Sequence, residues 1–495
     1  MRRFLAIVVL VCLLPVPAAA SAPPTPMRYA ADTWKSMTAS VDPGTGLIAD
    51  NVTGDLKTRS AYTSPTNIGA YLWSTVAARD LGIVSRADAY DRMRKTLSAL
   101  EKLTRSRQAG MFFNWYDPRT GAVLRHDPEG TNPITPFLSS VDNGWLAAAL
   151  MVVRAAEPRL RAQADGLLAP MDFGFYYDPN ARPGVGGLIH GGFYEQKPSG
   201  CSVTGNYRGG PPVYYTCNHY DVLNSEPRIA SYLGISRGQI PATHYFALNR
   251  TFPPICQYAF KQKPVGYTTT YDGVPVFEGA YTYRGMKFVP TWGGDMFEAL
   301  MPDLFVPEEK WATHSWAVNH PLYVRGQIEH GLVETGYGYW GFSPASNPKG
   351  GYGAYGQPWL GMSPDGYPSD LEGTRVDPGF EGCRPPGPKP VFGDGVVTPH
   401  AAFLALPYAP GAVLGNLAKL RENFDAYGPG GFYDSVAVRS GTVAKRYLAL
   451  DQGMTMAALG NYLARDDIRR AFVRGPVEAK IRPLLAIETF NAGKE

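Results

Sequence analysis

Charge is scarce in this sequence. Of 495 residues, 18% are Asp, Glu, Lys or Arg, and 47 basic residues against 43 acidic ones leave a formal net charge of +4. Phosphate-backbone recognition needs a strong basic surplus or stripe, so no nucleic-acid partner is expected. At 44% hydrophobic the chain is also too apolar for a disordered, solvated segment. Cysteine is limited to five residues with no C-x-x-C pair, and neither an H-E-x-x-H nor a P-loop is present. No metal or cofactor is therefore expected. Beyond the N-terminus no segment reaches 18 consecutive apolar residues, which excludes stable membrane insertion by a long apolar helix.

What is plentiful is aromatic and turn-forming: 30 Tyr, 22 Phe and 9 Trp, with 55 Gly and 44 Pro. The first twenty residues read as an address. Met1-Arg2-Arg3 is basic, Phe4 to Leu14 is apolar but too short to span a bilayer, and Ala18-Ala19-Ala20 suits cleavage after Ala20. The chain is expected to divide into a signal peptide over 1–20, a lead-in segment over 21–59 and a single body over 60–495. A secreted product, extracellular or periplasmic, is expected. Setting aside Cys12 in the leader, four cysteines remain and allow two disulfides in three connectivities. Cys201–Cys217 is preferred because it closes a Gly/Pro/Tyr-rich loop, and Cys256–Cys383 follows.

Apolar periodicity predicts helices over 67–80 (capped at Thr66 or Asn67), after a capping box at Ser85, and over 144–155, 162–171 and 226–233. Further helices are expected to start near Pro307, Pro321, Pro399, Gly411 and Arg446, and to cover 466–474 and 477–485. Strand-like pieces fall at 264–270, 274–277 and 281–289. The stretches 178–216 and 335–395 are too long for plain connections, and their aromatic content predicts ordered, site-lining loops. No Ser-, Gly- or charge-rich hinge divides the chain. About twelve helices in even succession, without β-α alternation, predict an all-α toroid with small β insertions.

Three motif matches fail on context. Gly234-Ile-Ser236-Arg-Gly238 has the G-x-S-x-G spacing, but a helix precedes the Ser where the nucleophile elbow needs a strand. The G-x-G-x-x-G matches at 336–341 and 351–356 open no helix of a βαβ unit. Carboxylates in apolar or aromatic settings are more telling: Asp142 before Trp145, Glu226 in Asn224-Ser-Glu226-Pro-Arg228, Glu298 in Trp292-Gly-Gly-Asp295-Met-Phe-Glu298, and Asp451 in Leu448-Ala-Leu-Asp451-Gln452. Burial and a second nearby carboxylate both raise a carboxyl pKa. A proton donor beside an ionised partner is what glycoside hydrolysis requires. Each also has a bland role: an N-cap for Asp142, an ion pair with Arg228 or Arg250 for Glu226, a buried donor for Glu298, a loop backbone for Asp451.

Through these and neighbouring segments the chain resembles the bacterial glucoamylase-like family, related to the C-terminal glycosidase-like domain of cyclic β-1,2-glucan synthases and to endo-β-1,2-glucanases. The carrying segments include Thr63 to Gly69, Ser140 to Gly144, Asn224 to Ser231, Trp292 to Pro302, Tyr339 to Ser343, Gly395 to His400, Gly430 to Asp434 and Asp451 to Met454, all in the family's order. The resemblance implies an (α/α)6 toroid acting on an oligo- or polysaccharide. It implies Glu226 as general acid, Glu298 as base or nucleophile and Asp142 as a supporting acidic residue. Substrate contacts are expected from Trp292, Trp340, Tyr339, Arg228, Asp451, Gln452 and His400. The expected activity is that of a monomeric glycoside hydrolase or transglycosylase on a bacterial glycan, with endo-action on β-1,2-glucan foremost; a non-catalytic glycan binder on the same toroid is the rival. Leu450-Asp451-Gln452-Gly453 departs from the synthases' His-His-Gln-Gly, and Pro227 from their Ala.

Overall fold

The computed structural model describes residues 25–494. The predicted leader, with Cys12, lies outside them. The chain is 39% helix and 19% strand, so the all-α expectation needs correcting. The Gly/Pro/Tyr-rich stretch between 177 and 220 folds into six strands shared between two sheets. The expected strands at 274–277 and 281–289 begin with one continuous strand, Val274–Tyr283, which pairs in register with Val265–Tyr271. Both expected disulfides form: Cys201–Cys217 staples the hairpin region and Cys256–Cys383 ties the long loop after 335 to the segment before 264.

Helix α1 (Pro26–Ala39) was not foreseen. It buries Tyr29, Trp34 and Met37, and Tyr29 packs edge-on against Phe403 and Tyr427. Helix α2 (Pro65–Asp80) starts earlier than predicted, because Ser64 caps it by accepting from the Asn67 N–H and Pro65 occupies the first turn. Ser85 caps α3 (Arg86–Leu100) as its capping-box pattern predicts. Then come α4 (Ser140–Ala156), α5 (Arg161–Leu168), α6 (Arg228–Ser236), α7 (His244–Ala247), α8 (Met296–Leu300) and α9 (Glu308–Trp311). Helix α10 (Trp316–Glu329) begins a turn before Pro321, which lies inside it. The rest are α11 (Pro399–Leu404), α12 (Pro410–Asn423), α13 (Ala449–Leu463), α14 (Asp467–Phe472) and α15 (Pro476–Ile487). A helix expected from Arg446 starts at Ala449, because Arg446–Leu448 is a strand paired with Asn51–Thr53.

Packing follows the buried faces. Helix α2 is buried along almost its whole length and packs on both α4 and α13; α4 also meets α6, and α13 also meets α1 and α11. Helix α8 packs on both α10 and α11, while α3, α5, α15 and α12 cover α2, α4, α6 and α11. At the centre Trp73 and Trp145 meet edge-on, and both pack against Phe305. Ser236 ends α6 with its hydroxyl on the Leu233 carbonyl and is buried, which is no nucleophile's setting. Among the described residues no helix is long and apolar enough to cross a membrane.

Candidate active site

The first turns of α2 and α4 face a cleft of about 800 Å³. Ser139 caps α4 by accepting from the Asp142 N–H at 3.1 Å, so Asp142 is not the cap. Its carboxylate is free to accept from Thr66 Oγ1, in the first turn of α2, at 2.6 Å. Glu226 lies on the bend before α6 and lines the same cleft with Asp142, Trp145 and Phe297. That bend is fixed from behind, because Asn224 Nδ2 donates to the Val289 carbonyl at 2.9 Å.

Glu298 is placed by a cap. Asp295 precedes α8 and its Oδ1 accepts from the Glu298 N–H at 2.8 Å. Glu298 Oε2 in turn accepts from the Gly293 N–H at 2.8 Å. The two glycines before the cap are required: a side chain on Gly294 (φ +78°) would meet the Gln357 carbonyl, and one on Gly293 would strike the ring of Tyr367.

Arg228 joins the two carboxylate-bearing segments. It is 1% exposed and forms a two-pronged pair with Glu308 at 2.8 and 2.9 Å. Its remaining donors reach the carbonyls of Ser225, Glu298 and Ala299. Expected as a substrate contact, and weighed as a partner of Glu226, it is instead a buried brace between the Glu226 bend and α8.

Burial, then the charges of Asp142 and Glu298, push the Glu226 carboxyl well above the usual range, with the Trp145 indole acting in the opposite sense. Glu298 rises to about 7, driven by burial and restrained by the N–H groups of Gly293 and Trp292, the Thr291 hydroxyl and the Arg228 charge. Asp142 is raised by burial, which the Thr66, Ser139 and Ser64 hydroxyls partly offset. Asp295, missed by the sequence reading, is raised well above its usual value by burial and by Glu298. The Asp295-x-x-Glu298 spacing of a helix N-terminus was the signal that could have found it.

The other cleft wall carries Asp451. His400 Nδ1 is 3.4 Å from Asp451 Oδ2 without hydrogen-bond alignment, and burial lowers its pKa to about 3. Asp434 completes the group, its Oδ2 accepting from the Ser346 N–H at 2.6 Å. Three clusters of described residues have the donor types for a metal ion: His400–Asp434–Asp451, Asp178–His190–His219 and Asp303–Glu308–His320. In the last, Glu308 and Asp303 are already paired with Arg228 and Arg469.

Of the expected sugar contacts, Trp340 is 2% exposed and belongs to the core. Tyr339 packs on Phe424 and its hydroxyl accepts from Asn423, and buried Gln452 donates to the Phe432 carbonyl. Trp292 is half-buried. The exposed ring in the cleft is one the sequence reading passed over, Tyr352, at 60% exposure. It stands on a short hairpin in which Ser346 pairs with Tyr352.

Residues 263–474 match the family model described as "Putative glucoamylase". Over that stretch, less than half of its length, the chain is similar to the glucoamylase-like family. Residues 28–174 match a second family model, described as a protein of unknown function (DUF3131). The cyclic β-(1,2)-glucan synthase NdvB of Rhizobium meliloti (strain 1021) is 27% identical over 395 residues, which is 78% of this chain. The chain spans only 11% of that relative's length. A glucoamylase-like protein from Bacteroides uniformis has the same fold, with a TM-score of 0.64 at 17% identity over 94% of this chain and 98% of that one. So does an endo-β-1,2-glucanase from Chitinophaga pinensis, in complex with sophorotriose and glucose (TM-score 0.61, 18% identity, 92% and 96% coverage). An endo-β-1,2-glucanase mutant from Talaromyces funiculosus, in complex with β-1,2-glucan, gives a TM-score of 0.63 at 12% identity over 94% and 91%.

Proposed function

We propose that this glucoamylase-like chain is an exported glycoside hydrolase, and that its substrate is a glucan with β-1,2 linkages cleaved from within. The observation that carries the reading is the pairing of two half-buried carboxyls with unlike environments: Glu226, whose carboxyl is pushed up by burial and by its acidic neighbours, and Glu298, whose ionised form is favoured by the N–H groups around it. Such divergence assigns acid and base roles. Glu226 protonates the departing glycosidic oxygen, and Glu298 attacks the anomeric carbon or activates water. Asp142, linked to Thr66, keeps the Glu226 proton in place by its negative charge. Tyr352 offers a ring face to a sugar.

The architecture in this reading is an (α/α)6 toroid of one domain. What supports it is the order of packing: α13, α2, α4 and α6 follow one another, α8, α11 and α13 return to the start, and Arg228 joins α6 to α8. Two disulfides suit an oxidising compartment. The glycans named in the structures of fold relatives make β-1,2-glucan the first substrate to try.

The test is a reducing-end assay with product analysis on a panel of linear β-linked glucans. Chain shortening of β-1,2-glucan, abolished in Glu226→Gln and Glu298→Gln while glucan binding persists, is the expected result. Turnover unchanged in both variants overturns the assignment.

A further inference from the structure

Beside the carboxylates the chain assembles a cationic cluster that no step of the proposed hydrolysis uses. Lys261 is 5% exposed, yet among the described residues its ammonium has neither a hydrogen bond nor a salt bridge. Its aliphatic stem is enclosed while the ammonium stays open to solvent, and no carboxylate among the described residues answers it. Its neighbours make matters worse: Arg375 and Arg384 both act against its charge, and only Asp377 favours it. Asp377 is already committed, because Arg384 Nη1 donates to both of its oxygens. Arg384 Nε is spent on the Ala259 carbonyl, while its buried Nη2 has no partner. Arg375 has only a 4.0 Å contact with the exposed Asp365. The cluster thus holds three cations, one engaged carboxylate and one buried donor without a partner, Arg384 Nη2.

Its position gives this surplus a direction. Lys261 and Arg375 both approach Gly366, where a methyl group would come 3.5 Å from Lys261 Nζ and 3.8 Å from Arg375 Cγ and Cδ. Gly366 has φ +67°, so the position is a turn glycine and carries no side chain between the cations. The next residue, Tyr367, lies over Gly293 and feels the charges of Glu298, Asp295 and Glu226. The cluster is therefore one residue along the chain from a ring at the catalytic carboxyls. The Cys256–Cys383 bridge holds the two segments that build it together.

We infer that Lys261 and Arg375, with Arg384 behind them, form a subsite for an anionic substituent carried by the glycan. The inference rests on the proposed glycan-hydrolase reading and adds the substrate class: a polysaccharide bearing phosphate or carboxylate groups. An anion here would supply the missing counter-charge and accept from the Lys261 ammonium and the Arg375 guanidinium, in the way charge-assisted pairs are made elsewhere in proteins. Lysine and arginine together suit a phosphate-type oxyanion well.

The test has two arms. The first is calorimetric titration of the full chain with inorganic phosphate and, separately, with succinate, at constant ionic strength set by chloride. Saturable binding by the wild type is expected, weakened at least tenfold in Lys261→Met and several-fold in Arg375→Gln, an exposed position where folding is not at stake. The stronger of the two ligands identifies the anion type. No saturable binding, or equal binding by all three proteins, overturns the inference. The second arm compares kcat/KM on β-1,2-glucan with and without anionic substituents. A preference of tenfold or more for the substituted polymer, shrinking in Arg375→Gln, is expected; equal rates in the wild type refute a role in substrate choice. Anion binding at Lys261 by a protein that hydrolyses no glucan would sink the proposed function and leave the anion site standing.

Discussion

Replacing Glu298 by Gln should stabilise the protein, and only at neutral to alkaline pH. The folded-state pKa of Glu298 is raised from 4.5 to about 7. A carboxyl raised in this way contributes stability that is fully present below the unfolded value and lost as pH rises through the folded one. At about 1.4 kcal/mol per pH unit, the ionised form of Glu298 costs the fold about 3 kcal/mol above pH 7. Glutamine carries no such charge, and its amide oxygen can still accept from the Gly293 N–H. Relief of repulsion on Glu226, which Glu298 also raises, acts in the same sense. The measurement is the urea midpoint of wild type and Glu298→Gln, disulfides intact, at pH 5 and pH 8. The variant should gain about 3 kcal/mol over wild type at pH 8 and less than about 1 kcal/mol at pH 5. A pH-independent difference, or a variant less stable at pH 8, would show that Glu298 is not a strained, desolvated acid and would remove the physical basis for its assigned role.

Other outcomes follow from the same contacts. Arg228→Met strands Glu308 with only Tyr232 and His320 and should cost about 3–5 kcal/mol in denaturant titration, with the double variant Arg228→Met/Glu308→Gln recovering more than half. Thr66→Val removes the 2.6 Å hydrogen bond to Asp142 and should lower kcat/KM on the glucan about tenfold or more, given what hydrogen bonds to charged groups contribute. Tyr352→Ala deletes the exposed ring and should raise KM by about 2- to 12-fold, the range set by an aromatic contact of about 0.5–1.5 kcal/mol, with kcat changed less than KM.

The parts of this protein that could be read from its sequence are those set by local chemistry. Ser85 announced α3 through its capping box, and four cysteines in a chain with a leader-like start left few pairings to choose from. The acids were legible because carboxylates rarely sit among Trp, Met and Leu without a purpose. What escaped the reading depends on partners distant in sequence. Arg228 looked like a ligand for substrate because nothing local shows that Glu308, eighty residues on, takes its guanidinium. Trp340 sits among glycines like a platform residue, yet it is buried with Asn416 on its backbone. Tyr352 passed for a loop residue, since the two-residue pairing that raises it over the acids is too short for any periodicity. The strands between 177 and 220 have irregular alternation and are held partly by the Cys201–Cys217 link, so no period of two marked them.

The second disulfide has a consequence for binding thermodynamics. By joining residue 256 to residue 383, it limits the conformations open to the long segment that carries Gly366, Tyr367 and Arg375. A far bank assembled in advance leaves less disorder to be removed when a polymer docks, which favours affinity without any added contact. Mild reduction should therefore slacken the grip on substrate before it melts the helices, making recognition, more than folding, the property that depends on an oxidising environment.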